Sequence, residues 1–205
     1  MSDIIIFDIG RVLVEWEPVA FYEQEIGKER ADAFFAAVPM FERHFRSDAG
    51  ENFFEVIAET ANDFPLWRNE VEIWADRWAD FTNTPIAGTV AIKDAFHRKG
   101  LPVYGLSNFG VENFPITQAL HPALQNFDKL FLSGALKISK PDPAIYAHVE
   151  NIVRTDPSNL TFIDDSPANI ETAISRGWNG HLFETPDKLK DYVTERGLLN
   201  AEDLA

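Results

Sequence analysis

An α/β fold built on a doubly wound, Rossmann-like parallel sheet is predicted by three features of this 205-residue chain. Short apolar runs end abruptly in polar or small residues, helical segments separate the runs, and capping residues punctuate the helices. Ile4–Phe7 runs into Asp8, Leu101–Leu106 into Ser107-Asn108, Leu130–Leu132 into Ser133, and Leu160–Ile163 into Asp164-Asp165. Gly180–Phe183 reads as a fifth strand. Strands that alternate with helices imply right-handed crossovers and a parallel sheet.

The helices between these strands are expected at Thr89–Lys99, Pro143–Val153 and Pro167–Arg176. Asp142-Pro143 and Ser166-Pro167 each place a capping residue before a proline at the first helical position, and Gly100 and Gly177 follow helix ends. Residues 15–85 break the pattern, with helical spacing and no convincing strand. Phe53, Val56, Ile57 and Thr60 share one face, as do Trp67, Val71, Trp74 and Trp78, the spacing of a bundle core. The expected organisation is therefore an α/β core from residues 1–14 and 86–205, with an all-helical cap from 15–85 inserted after the first strand. The tail after Thr194 is expected to be docked or frayed and without chemistry.

Composition removes several function classes. With 18 Lys and Arg against 33 Asp and Glu the net charge is −15, which repels nucleic acid and anionic membranes, so neither is an expected partner. The absence of cysteine excludes disulfides, thiolate metal sites and cysteine nucleophiles. No apolar run approaches the ~20 residues that span a bilayer, and Met1-Ser2-Asp3 leads directly into the first strand, so a cytoplasmic enzyme is expected.

The chemistry gathers at the strand ends. Open α/β sheets bind ligands at the carboxyl ends of their strands, where Asp8, Ser107-Asn108, Lys140 and Asp164-Asp165 would converge. An Asp after a strand is often only a turn or capping residue, but convergence of four motifs is harder to explain that way. Two or three carboxylates with room for water suit Mg²⁺, which is held by a few carboxylates plus substrate phosphate. A serine hydroxyl, a lysine ammonium and backbone N–H groups suit the remaining phosphoryl oxygens. Asp8 is then placed to attack phosphorus.

The motifs FDIGRVLV, GLSN, KISKPDPAIY and FIDDSPAN resemble, in order and spacing, the four motifs of the haloacid dehalogenase-like (HAD) hydrolase superfamily. The inserted helices resemble the small cap of the subfamily that includes sugar-phosphate phosphatases and 2-haloacid dehalogenases. The resemblance implies that Asp8 is nucleophile and metal ligand, with the carbonyl of Gly10, Asp164 and Asp165 completing a magnesium site. It implies that Ser107 and Lys140 bind the phosphoryl group, with Lys140 also neutralising the carboxylates and Asn108 beside the transferring group. Most phosphatases of this family carry a second Asp where this chain has Gly10. That Asp supplies general acid–base help worth about 10²–10⁴-fold in rate. Phosphatases resembling bacterial sugar-1-phosphate phosphatases also have Gly at this position.

Three readings follow from Gly10: a phosphatase of a small phosphorylated metabolite, with a sugar phosphate among the candidates; a metal-free 2-haloacid dehalogenase using the same Asp8; or a weakly active or non-catalytic binding protein. The adjacent acidic pair favours magnesium and phosphoryl transfer, because three carboxylates without a cation raise each other's pKa. Around this centre, Arg11 is a candidate for binding substrate anions or for a salt bridge with the cap. Trp16 and Glu17 mark the entry to the cap. In the cap, residues 41–51 are expected to reach the site, with Arg43, His44 and Arg46 as candidate substrate or proton groups. His97, His121, His148 and His181 lack metal-ligand spacing and read as surface or helix-end residues.

Overall fold

The computed structural model describes residues 3–204. Among these residues the strands β1 (Ile4–Phe7), β2 (Val103–Ser107), β3 (Lys129–Leu132), β4 (Leu160–Asp164) and β5 (Asn179–Leu182) form a parallel sheet in the order β3-β2-β1-β4-β5. All five expected strands are present, displaced by at most two residues. β2 starts at Val103 because Pro102 has no N–H to give a ladder, although its carbonyl accepts from Ile5. β1, β2 and β4 are buried along their whole length, which is why they read as unbroken apolar runs.

Six helices follow β1: α1 (Pro18–Ile26), α2 (Lys28–Ala37), α3 (Met40–Asp48), α4 (Phe53–Asp63), α5 (Arg68–Asp76) and α6 (Trp78–Phe81). The chain leaves and re-enters the sheet layer through paired segments: Glu15 N–H donates to Thr84 O at 2.8 Å and Ile86 N–H to Leu13 O at 2.9 Å. The layer then continues through α7 (Ala87–Arg98), α8 (Phe114–Leu120), α9 (Ser133–Leu136), α10 (Pro143–Val153), α11 (Pro167–Ser175) and α12 (Pro186–Glu195).

The period of two along β1 divides its side chains between two cores. Ile4 and Ile6 face α10 and α11, packing with Tyr146, Val149, Phe162 and Trp178. Ile5 and Phe7 belong to a larger cluster that runs without a break into the cap through Tyr22, Phe34, Phe53, Trp74 and Trp78. The α4 face of Phe53, Val56, Ile57 and Thr60 is buried as expected. Trp67 departs from its stripe: Pro65 starts a separate 3₁₀ turn, and Trp67 is only partly buried there.

Asp142 caps α10, its carboxylate accepting from Ala144 N–H at 2.8 Å. Ser166 does not cap α11 with its side chain; its own N–H donates to Asp164 Oδ1 at 2.8 Å, so the turn serves the strand-end carboxylate instead. Gly100 and Gly177 follow their helices with positive φ. The C-terminal tail is docked, with Leu198 and Leu199 buried and Asp203 paired to Lys99 at 2.9 Å. Among the described residues no helix is long and apolar enough to cross a membrane.

Candidate active site

β1 lies at the centre of the sheet, with β2 on one side and β4 on the other. Register places Phe7 opposite Gly105 and Ile163, so Asp8, Ser107 and Asp164 emerge together at the carboxyl edge. The chain builds β2 and β3 on one flank of β1 and then crosses to build β4 and β5 on the other. The crevice between β1 and β4 is the topological switch point, where doubly wound sheets bind ligands.

Asp8 is held by three donors, all on Oδ1: Ile9 N–H at 2.7 Å, Ser107 Oγ at 2.7 Å and Lys140 Nζ at 3.0 Å. No protein donor among the described residues reaches Oδ2. Lys140, its side chain 1% exposed, also donates to Asp164 Oδ2 at 2.7 Å and to Leu106 O at 2.9 Å. Asp164 is fully buried, and Asn169 Nδ2 spans its two oxygens at 2.9 and 3.0 Å. Tyr146 supports Asn169 by donating to its carbonyl at 3.0 Å. Asn108 does not point at Asp8; its amide closes a reciprocal pair with the Lys140 backbone, accepting from N at 2.8 Å and donating to O at 2.9 Å. It fixes the loop that delivers the ammonium.

Oxygens of Asp8, Asp164 and Asp165 lie within 4.8 Å of one another. Burial pushes the Asp8 carboxyl up to about 6; Lys140 opposes this, while Asp164 adds to it. Burial and Asp164 likewise raise Asp165. Lys140 is raised overall, because Asp8 and Asp164 together outweigh the burial that would lower it. One lysine does not neutralise three clustered carboxylates, and a hard oxygen donor set with excess negative charge fits a small divalent cation. Gly10 lies on the same cavity wall, and a Cβ built there meets nothing within 4 Å.

The cavity, about 180 Å³, is floored by Asp8, Ser107, Asn108, Lys140 and Asp165. The cap side contributes Trp16, His44, Phe45, Asp48, Trp78 and Thr82. Arg11 lines the rim with positive φ, its Nε 3.5 Å from Glu17 and its guanidinium over the Trp16 ring. It is thus both at the cavity and tied to the cap entry. Within residues 41–51, His44 is brought in, buried between the rings of Trp16 and Trp78. Burial drives it down to about 3, so it is a neutral imidazole at physiological pH. Arg43 is not brought in: its guanidinium pairs with Glu59 at 3.0 Å and Asp63 at 2.7 Å on α4. Arg46 turns to Glu51 and Glu59 in the same way. Acidic residues on the outer face of α4 and the loop before it draw both cations off the cavity.

His121 is at a helix end, as expected, but buried, its ring against Thr82 O. Three residues gain a place that spacing alone did not indicate. Asn169 clamps Asp164, and Glu112 accepts from Asn52 Nδ2 at 3.1 Å and Phe53 N–H at 3.2 Å, holding the start of α4 to the core. Asp48, at the end of α3, places a buried carboxyl in the cavity wall. Asn169 was visible inside FIDDSPAN, one helical turn after Asp165, and Asp48 lies within the 41–51 segment expected to reach the site, although not singled out there; Glu112 carries no local signal.

No family model matches the chain. It is 32% identical over 105 residues to a drimenol cyclase of Aspergillus calidoustus, an alignment of 48% of this chain and 20% of that one. It is 37% identical over 80 residues to a flavin mononucleotide hydrolase of Arabidopsis thaliana, covering 35% and 33%. The chain therefore spans about a fifth and a third of the length of these two relatives. A sesquiterpene phosphatase of Aspergillus oryzae aligns over 88% of this chain and 89% of its own, at 23% identity. Among solved structures, a HAD family enzyme of Bacteroides thetaiotaomicron in complex with magnesium and inorganic phosphate superposes with TM-score 0.67 at 20% identity, covering 90% and 96% of the two chains. A predicted HAD-like hydrolase of Porphyromonas gingivalis gives 0.69 at 18% identity, covering 98% and 100%. An L-2-haloacid dehalogenase of Xanthobacter autotrophicus with chloropropionic acid covalently bound gives 0.66 at 15%, covering 100% and 87%.

Proposed function

From a chain that has the haloacid dehalogenase-like fold, a Rossmann-like core with a helical cap, we propose a Mg²⁺-dependent phosphatase that acts on a small phosphorylated metabolite through an aspartyl-phosphate. The observation that carries this reading is the meeting of Asp8, Asp164 and Asp165 with Lys140 and Ser107 at the switch point of the sheet. Asp8, Asp164, Asp165 and the Gly10 carbonyl would hold the cation, whose chemistry is to neutralise charge on the phosphoryl oxygens.

The chain's own groups divide the remaining work. Asp8 attacks phosphorus through Oδ2, the oxygen without a protein donor, while Ser107, Lys140 and the Ile9 N–H hold Oδ1. Lys140 and Ser107, whose protons are all engaged by Asp8, Asp164 and the Leu106 carbonyl, would exchange one of these partners for an incoming phosphoryl oxygen. Trp16, Phe45, Trp78 and Phe109 shield the reacting atoms from water and present an apolar wall to the leaving group. A cavity of about 180 Å³ falls below the ~300 Å³ at which drug-sized pockets begin, in keeping with a compact ester.

The test is phosphate release from a panel of metabolite phosphates with Mg²⁺ and with EDTA, beside halide release from a 2-haloacid. Mg²⁺-dependent phosphate release that Asp8→Asn abolishes, with the fold intact, is the expected result. The dehalogenase reading shares the covalent aspartyl chemistry, and chelator-insensitive halide release would establish it instead. The acidic pair beside Asp8 argues against it, because carboxylates clustered without a cation raise the pKa of the nucleophile and favour its neutral form.

A further inference from the structure

We propose that Asp48, carried into the cavity by the cap, is the general acid and base of the reaction, supplying the proton transfer for which Gly10 has no side chain. The inference rests on the phosphatase reading above and names the residue that reading leaves missing.

The placement of Asp48 is enforced by the core, not by the cap alone. Its backbone carbonyl accepts from Ser133 Oγ at 2.5 Å and from Ser139 Oγ at 3.3 Å, the latter one residue before Lys140. The turn at Ser47 packs closely on the core at Gly134 and touches Gly110. A Cβ at Gly134 would meet Phe109 O at 2.8 Å and Ser47 O at 3.2 Å, and one at Gly110 would meet Ser47 Cβ at 3.5 Å and Asn113 Oδ1 at 2.5 Å. The end of α3 is thereby pinned between the residues after β2 and the start of α9.

Asp48 is 5% exposed and lines the same cavity as Asp8, Lys140 and Gly10. Its Oδ1 is buried without a hydrogen-bond partner, an arrangement that costs about 1–3 kcal/mol unless the atom is used. Its Oδ2 lies 3.7 Å from His44 Nε2. Trp74 Nε1 donates to His44 Nδ1 at 3.4 Å, which leaves the imidazole proton on Nε2, facing Asp48. Oδ2 thus faces a neutral histidine just beyond hydrogen-bond distance, and the carboxyl, with Oδ1 unpartnered, forms part of the cavity wall.

The charged groups around it set its proton. Burial, and then Asp8 at the end of β1, push Asp48 up to about 7, while the Gly110 N–H and Lys140 temper the rise. His44, the titratable neighbour on its own helix, is neutral and adds no charge. An acid near neutrality is the value that general acid–base catalysis favours.

The two half-reactions balance on this group. Asp8 attacks phosphorus, the bond from phosphorus to the ester oxygen breaks, and the Asp48 proton passes to that oxygen, so the alcohol leaves neutral. Asp48, now a carboxylate, accepts a proton from the water that attacks the phosphorus of the aspartyl-phosphate. The Asp8–phosphorus bond breaks, inorganic phosphate leaves, and Asp48 is again protonated.

The test compares an alkyl phosphate, whose alkoxide needs a proton, with 4-nitrophenyl phosphate, whose phenolate does not. Asp48→Asn should lower kcat/KM for the alkyl ester by about 10²–10⁴-fold and affect the aryl ester far less. With the aryl ester the variant should accumulate phosphoenzyme, because the base for water is gone. Wild-type alkyl-ester activity should fall above about pH 7, and this fall should be absent from Asp48→Asn. Asp48→Glu keeps the acid and should hold a near wild-type ratio between the two esters. Gly10→Asp, for which there is open space, should restore alkyl-ester turnover to Asp48→Asn. Equal losses on both esters in Asp48→Asn would overturn the role of Asp48 while leaving the phosphatase reading standing. Absence of phosphate release by the wild-type chain would overturn both.

Discussion

Lys140 is the residue on which the electrostatics of the site turn. Its ammonium is buried between Asp8 and Asp164, so removing it leaves two buried carboxylates without their cation. Breaking a buried pair from one side costs about 3–5 kcal/mol, and the loss should be larger at pH 8 than at pH 5, where Asp8 regains a proton. Urea unfolding of Lys140→Met at both pH values measures this. Asp48 behaves with the opposite sign. Its native pKa of about 7 lies above the ordinary 3.8, so the unfolded chain ionises first as pH rises, and native stability falls from about pH 4 to pH 7. Asp48→Asn removes that loss, and its melting temperature should exceed that of the wild type by a margin that grows across this window. His44, lowered to about 3, contributes stability above its ordinary pKa of 6.5 and loses it as pH falls toward 3.

At the scale of elements, the short helix α3 divides its side chains by function. Its outward cations, Arg43 and Arg46, pair with α4 and the loop before it, while its inward face brings His44 and Asp48 to the cavity. Exposed ion pairs are worth about 0–1 kcal/mol, so Arg43→Ala should leave turnover unchanged and stability within that range. The junction of α3 with α9 is the sensitive contact. Gly134→Ala drives a methyl into Phe109 O and the Ser47 carbonyl, and overpacking of this kind costs about 1–3 kcal/mol. Its kcat should fall with that of Asp48→Asn, because the substitution moves the segment that carries Asp48. Thermal melts beside alkyl-ester kinetics separate the two effects.

Across the whole molecule, the cap and sheet share one hydrophobic cluster, so ligand bound at the site should stabilise the chain as a unit. A cation held at 100 times its dissociation constant adds about 2.7 kcal/mol to unfolding. Mg²⁺ should raise the melting temperature of the wild type and not of Asp164→Asn or Asp165→Asn, a readout that needs no substrate. The five strands and the ends of β1, β2 and β4 were legible from residues alone, because a fully buried parallel strand must be apolar and must stop where chemistry begins, whereas the order of the strands came from the fold. The sequence also indicated the meeting of Asp8, Ser107, Asp164 and Asp165, since strand ends on one sheet edge have only one place to meet; Lys140 reaches them from the loop before α10. What only the tertiary structure decided is which cap residues join them. The cap packs on the core through contacts distant in sequence, such as Ser133 with Asp48 and Glu112 with Asn52, and no local pattern records these. Charge type suggested Arg43, but folding turned it outward and delivered a neutral histidine and a buried carboxyl, because burial favours the uncharged form.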